Sequence, residues 1–152
     1  MTGKKIKFII DSNLENLSLI GLVVNKLCSL VPFSELEADR IELCVLEAMT
    51  NSIKHAYGNR PGHEVEVTFC LCPEKLTLDV CDTGISMPRE LFEQKDISAL
   101  KINPDNIVGI PKSGRGLAII KEIMNEVAYK TEEGKNCLIM IKRIDKGAKK
   151  ED

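Results

Sequence analysis

Residues 65 to 80 hold two short runs, VEVTFCL and LTLDV, in which apolar and polar side chains alternate, with Pro73-Glu74 between them. Successive side chains on a strand point to opposite sides. Val65, Val67, Phe69 and Leu71 therefore share one face of the first run, and Leu76, Leu78 and Val80 share one face of the second. The pattern predicts an antiparallel hairpin with one packed side and one more polar side. A packed sheet face requires a second layer to cover it.

The chain before the hairpin offers that layer. KIKFII alternates as a strand, with Ile6, Phe8 and Ile10 on one face. Asp11 and Ser12 are potential caps for a helix over about residues 14–31, which carries Leu14, Leu17, Val24, Leu27 and Val31 at helical spacing and stops at Pro32. Ser34 and Glu37 form a capping box that opens a second helix, expected to run to about Tyr57. Gly58 to Gly62 then form a turn cluster.

After Asp82-Thr83-Gly84 the periodicity dissolves for about thirty residues, apart from a short helix expected after Pro88. Gly114-Arg115-Gly116 is expected to open a helix, LAIIKEIMN, and two strands near 127–131 and 137–143 follow around a turn at Gly134. The order β-α-α-β-β-loop-α-β-β predicts an α+β fold: a two-layer α/β sandwich with helices on one face of a mostly antiparallel sheet. Residues 1–145 are expected to form a single domain, and KGAKKED, residues 146–152, a charged, flexible C-terminal tail.

Composition narrows the function classes. With 152 residues and a net charge of −2, the chain shows no basic surface for nucleic acid. Aromatic residues make up 4% and tryptophan is absent, which argues against base-stacking platforms. No apolar run approaches the roughly 20 residues of a membrane span. The N-terminal apolar run is too short for a signal peptide. A cytoplasmic location is expected, and with it six reduced cysteines. Cys70, Cys72 and Cys81 suggest a metal site only weakly, because no C-x-x-C exists and the chain has two histidines.

Three polar clusters stand out. In LEAMTNSIKHAY, Glu47, Asn51 and His55 recur every four residues along one edge of the second helix's buried stripe of Ile41, Cys44, Val45, Ala48, Ser52 and Ala56. In VCDTGIS, Asp82 ends a strand and Gly84 permits close backbone approach. In SGRGLAII, two glycines meet a helix start whose free N–H groups suit phosphate. Each alone is weak. The third is neither a Walker A loop nor a dinucleotide fingerprint.

Their order is more specific. E-x-x-x-N-x-x-x-H on a helix, D-x-G at a strand end, a long loop and G-x-G at a helix start resemble the Bergerat-fold (GHKL) ATPases. Within them, EAMTNSIKHAY resembles the N-box of the anti-sigma factor serine/threonine-protein kinases, bacterial partner-switching regulators, and the resemblance spans nearly the whole chain. It implies a cytoplasmic kinase that binds ATP or ADP with Mg²⁺, phosphorylates an anti-anti-sigma antagonist protein and sequesters a sigma factor. It implies no contact with nucleic acid or membrane, and a homodimer is an admissible state.

The roles implied fall on particular residues. Asn51 would coordinate Mg²⁺ across the phosphates, and Glu47 would act as general base. Asp82 would bind the adenine amino group, and Gly84 would leave room for the base. Gly114 and Gly116 would offer backbone amides to the phosphates, with Lys112 as their counter-charge. His55, Met87, Arg115 and Leu117 complete the expected nucleotide-contacting set, and the loop before the glycines would be the ATP lid. Two positions depart from the family pattern: Ser86 stands where a second glycine is common, and Asn136-Cys137 stands where the last strand often begins with Thr.

Other readings lead elsewhere. VCDTGIS also resembles the active-site turn of retroviral-type aspartic proteases, with Ile107-Val108-Gly109 as a second motif, but such a protease is nearly all β. A histidine-kinase catalytic domain would need an attached dimerisation helix pair, and no segment is expected to supply one. An ATP-dependent binding module without phosphoryl transfer would share every residue named above.

Overall fold

The computed structural model describes residues 3–93 and 112–145, with the backbone alone for residues 112–114. The expected lid, the Ile107-Val108-Gly109 motif and the charged tail lie outside the described residues.

Five strands form one sheet: β1 (Lys4–Asp11), β2 (Glu64–Leu71), β3 (Lys75–Asp82), β4 (Glu126–Glu132) and β5 (Lys135–Arg143), in the order β1-β2-β3-β5-β4. Every pairing is antiparallel. The helices α1 (Leu17–Cys28), α2 (Glu35–Asn51) and α4 (Lys112–Ile123) cover one face, and a short α3 (Arg89–Glu93) follows the β3 turn. The expected two-layer α+β fold is the one observed. Its helical layer leaves no place for the nearly all-β protease.

The core lies where the alternation puts it. Val65, Val67 and Phe69 of β2, Leu76, Leu78 and Val80 of β3, and Met140 of β5 are buried with Ile41, Val45 and Met49 of α2 and Ile120 of α4. The opposite sheet face carries Lys5, Lys7, Glu66, Thr77 and Lys130, exposed or half-buried. On that face Glu66 lies between Lys135 and Lys7, at 2.6 and 3.7 Å. The hydrogen bond from Lys135 holds its carboxyl below the usual range, though an ion pair this exposed contributes only about 1 kcal/mol or less.

The second helix starts where its capping box puts it. The Ser34 hydroxyl accepts from the Glu37 amide and the Glu37 carboxylate accepts from the Ser34 amide, both at 3.1 Å. The first helix differs from expectation. A 3-10 turn, Leu14–Asn16, precedes α1, and its cap is Asn13, whose side chain accepts from the Glu15 amide. Ser12 is buried and donates to the Arg60 carbonyl at 2.6 Å, tying the end of β1 to the loop before β2. A hydroxyl drawn into a tertiary contact is lost to local capping.

The cysteines also require a correction. The β3–β5 register sets Cys81 directly opposite Cys137 with Cα atoms 4.1 Å apart, and the two form a disulfide. The expectation of six thiols rested on compartment alone and took no account of pairing register. Cys28 and Cys44 are buried, and desolvation pushes each thiol up to about 12. Cys70 and Cys72 are half-buried and sit together over Gly3, which has no side chain to separate them. Native protein titrated with a thiol reagent at neutral pH should therefore expose two reactive thiols, unfolding without reductant should give four, and reduction six. Six thiols without reductant would show the Cys81–Cys137 bond to be absent.

Among the described residues, no helix is long and apolar enough to cross a membrane.

Candidate functional site

The cleft forms where α2 loses its α-helical winding. At Asn51 the helix passes into a π turn, Ser52–Ala56, in which the Tyr57 amide bonds to the Ser52 carbonyl at 3.0 Å. Such wider turns gather at functional sites because they redirect side chains and carbonyls. Here the turn directs the Ser52 hydroxyl at Asp82 and the Ala56 carbonyl at the chain after it. The Ile85 amide bonds to that carbonyl at 2.9 Å. This approach is close enough that a Cβ on Gly84 would collide with the Ala56 backbone. Gly84 does make room, and what occupies the room is the helix end. A side chain there would point at Ala56, not into the cleft.

Asp82, the last residue of β3, is buried and 7% exposed. Its Oδ2 accepts from the Ser52 hydroxyl at 2.8 Å. Its Oδ1 accepts from the Gly84 amide at 3.1 Å and the Asn136 side-chain amide at 2.9 Å. A carboxylate oxygen has room for two donors. Oδ1 is filled, and Oδ2 keeps one acceptor position.

Around this carboxylate lies a cleft of about 280 Å³. Ala56, Val80, Leu138, Met87 and Leu117 give it apolar walls, and Asn51, His55 and Tyr129 add polar groups. The Tyr129 hydroxyl accepts from the Met87 amide at 2.9 Å, which fixes one wall. Two apolar sides and one buried carboxylate suit a flat heterocycle with an amino edge.

The opening row of α2 divides along the site. Asn51 is half-buried, borders the cleft and makes no capping bond. His55 stands at the exposed end, in the π turn. Glu47, one α turn before Asn51, lies against α4: its Oε2 is 2.5 Å from where a Cβ on Gly116 would stand. A side chain at 116 would displace that carboxylate from its present place.

The glycine pair sits differently from the sequence expectation. Gly114 and Gly116 both lie within helix α4 (Lys112–Ile123) and do not precede it. Two glycines so close to a helix start read as a turn, and the helix runs through them. Of the other expected residues, Met87 and Leu117 border the cleft, and Arg115 is half-buried away from it.

Sequence reasoning missed Ser52 and Tyr129 and left Asn136 without a role. Ser52 was counted as core because its position on the helix wheel is buried, which is correct, but its hydroxyl is the group that matters. Asn136 lies opposite Asp82 in the β3–β5 register, a pairing visible only once β5 is seated beside β3.

A family model described as "Histidine kinase-like ATPase domain" matches residues 10–142. The Anti-sigma F factor of Clostridium acetobutylicum is 30% identical over 141 residues, covering 91% of this chain and 91% of that protein. A Serine-protein kinase RsbW of Listeria monocytogenes serotype 4a is 29% identical over 141 residues, covering 93% and 88%. That of Bacillus mycoides is 26% identical over 136 residues, covering 90% and 83%.

Proposed function

The chain belongs to the histidine kinase-like ATPase domain family, and from that premise we propose that it is an ATP-dependent serine/threonine protein kinase of the anti-sigma type. It phosphorylates an anti-anti-sigma antagonist and, with ATP bound, holds a sigma factor, so that two partners compete for one regulator.

The observation that carries this reading is the Asp82 cluster in its apolar cleft. The adenine ring fits between Val80, Leu138 and Met87, with its amino group on the open position of Oδ2. The phosphates would then lie on the side of the cleft bordered by Asn51 and by Gly116 of α4. Asn51 would offer its side-chain oxygen to a Mg²⁺ ion, which when bound would offset phosphate charge. The antagonist's hydroxyl oxygen attacks the γ-phosphorus, Glu47 takes the hydroxyl proton, and the bond to the bridging oxygen of ADP breaks.

Incubation with labelled ATP, Mg²⁺ and candidate antagonist proteins tests the proposal, with phosphoserine or phosphothreonine on the antagonist as the expected product. ATP binding without any transfer would leave a nucleotide-dependent binding module in its place. Asn51→Ala should cut the Mg²⁺ dependence of ATP affinity at least about tenfold, the scale reached even by outer-shell partners of a metal. Calorimetry with and without Mg²⁺ measures this, and an unchanged dependence would remove Asn51 from the metal site.

A further inference from the structure

Resting on the nucleotide reading above, we infer that Asn136 is the positioning residue for base selectivity: it holds the Asp82 carboxylate in the one orientation that accepts an amino group and refuses a carbonyl. Asn136 is 2% exposed and occupies the end rung of the β3–β5 ladder, opposite Asp82. Its amide nitrogen donates to Asp82 Oδ1 at 2.9 Å and to the Gly84 carbonyl at 3.0 Å. Both amide hydrogens are thereby used. Its own oxygen accepts from the Thr131 hydroxyl at 2.9 Å. Turning the amide over would break these bonds and set oxygen against oxygen, so the side chain has one stable orientation.

The consequence passes to Asp82. Oδ1 is saturated by Asn136 and the Gly84 amide, and Ser52 holds Oδ2 from the other side. A carboxylate pinned at both oxygens cannot rotate to suit a different ligand. A purine with a 6-amino group donates to the remaining position on Oδ2, whereas a 6-oxo purine presents a lone pair to a lone pair. Removing the Asn136 donor frees the carboxylate and admits a water, which can bridge it to a carbonyl. Selectivity then falls, although no group touching the base has been changed.

The test compares affinities for ATP and for inosine triphosphate, whose base carries a carbonyl at that position, in wild type, Asn136→Leu, Asn136→Thr and Thr131→Val. Leucine keeps the branched outline of asparagine, though it is larger, and donates nothing. The preference for ATP should fall about tenfold or more in Asn136→Leu, fall partway in Asn136→Thr, which keeps one donor, and move in the same direction in Thr131→Val. Affinity for inorganic tripolyphosphate should stay at the wild-type value throughout. Thr131 is exposed, so if Asn136→Leu does not fold, Asn136→Thr and Thr131→Val decide. Unchanged preference in the variants, or tripolyphosphate affinity falling in step, overturns the inference alone. Wild-type protein that binds no ATP overturns the nucleotide reading beneath it.

Discussion

Asp82→Asn will fold as the parent does and bind ATP roughly ten- to hundredfold more weakly, the value of a hydrogen bond to a charged group. The two halves of this expectation follow from the same contacts. An asparagine at 82 can turn its oxygen toward the Asn136 and Gly84 donors and its NH₂ toward Ser52. The Ser52 hydroxyl then accepts where it had donated. No internal contact is lost, so thermal unfolding should shift little. The position left for the base's amino group, however, has become a donor facing a donor. Calorimetric titration with ATP, beside a melting curve, checks both halves. Wild-type affinity would remove Asp82 from base recognition, and a collapsed melting temperature would show that its role is structural.

Glu47→Ala should lower phosphoryl transfer to the antagonist by about 10²–10⁴-fold, the range of a lost general base, while ATP affinity stays within about twofold. A proton acceptor serves the transition state and does little for the bound ground state. Glu47 does not border the cleft proposed for the base; it lies one turn away, against Gly116. Single-turnover transfer, measured at saturating ATP, isolates the chemical step. A variant that transfers at the wild-type rate would assign the proton to another group.

The fold was legible because its constraints are local and periodic. Alternation marked β2 and β3, a capping box marked the start of α2, and turn residues marked the breaks between them. What could not be read depended on pairing between distant strands and on winding within a helix. The Cys81–Cys137 bond and the Asn136–Asp82 contact both follow from β5 seating beside β3, which no local pattern encodes. The π turn left no signal either, since Ser52 to Ala56 have the composition of any amphipathic helix. In the site, Asn51 and Asp82 were readable because a polar residue at the edge of an apolar stripe, or at a strand end, is out of place. Ser52 was not, because a buried serine fits a small-residue core position.

The strand order carries a consequence for how the protein is made. Among the described residues β5 is the last strand to be synthesised, yet it sits between β3 and β4. Until it emerges, β3 has a bare edge, β4 has no partner, and Asp82 lacks its donor from the far strand. Such pairing, distant in sequence, is slow, and open strand edges invite association with other chains. A nascent chain released short of residue 135 would therefore lack more than its end. Its sheet would lack the strand that joins β4 to β3, and with it the wall and the Asn136 donor that complete the nucleotide pocket. Competence to bind nucleotide thus arrives with β5, and a product of translation that stops before it never completes the cleft.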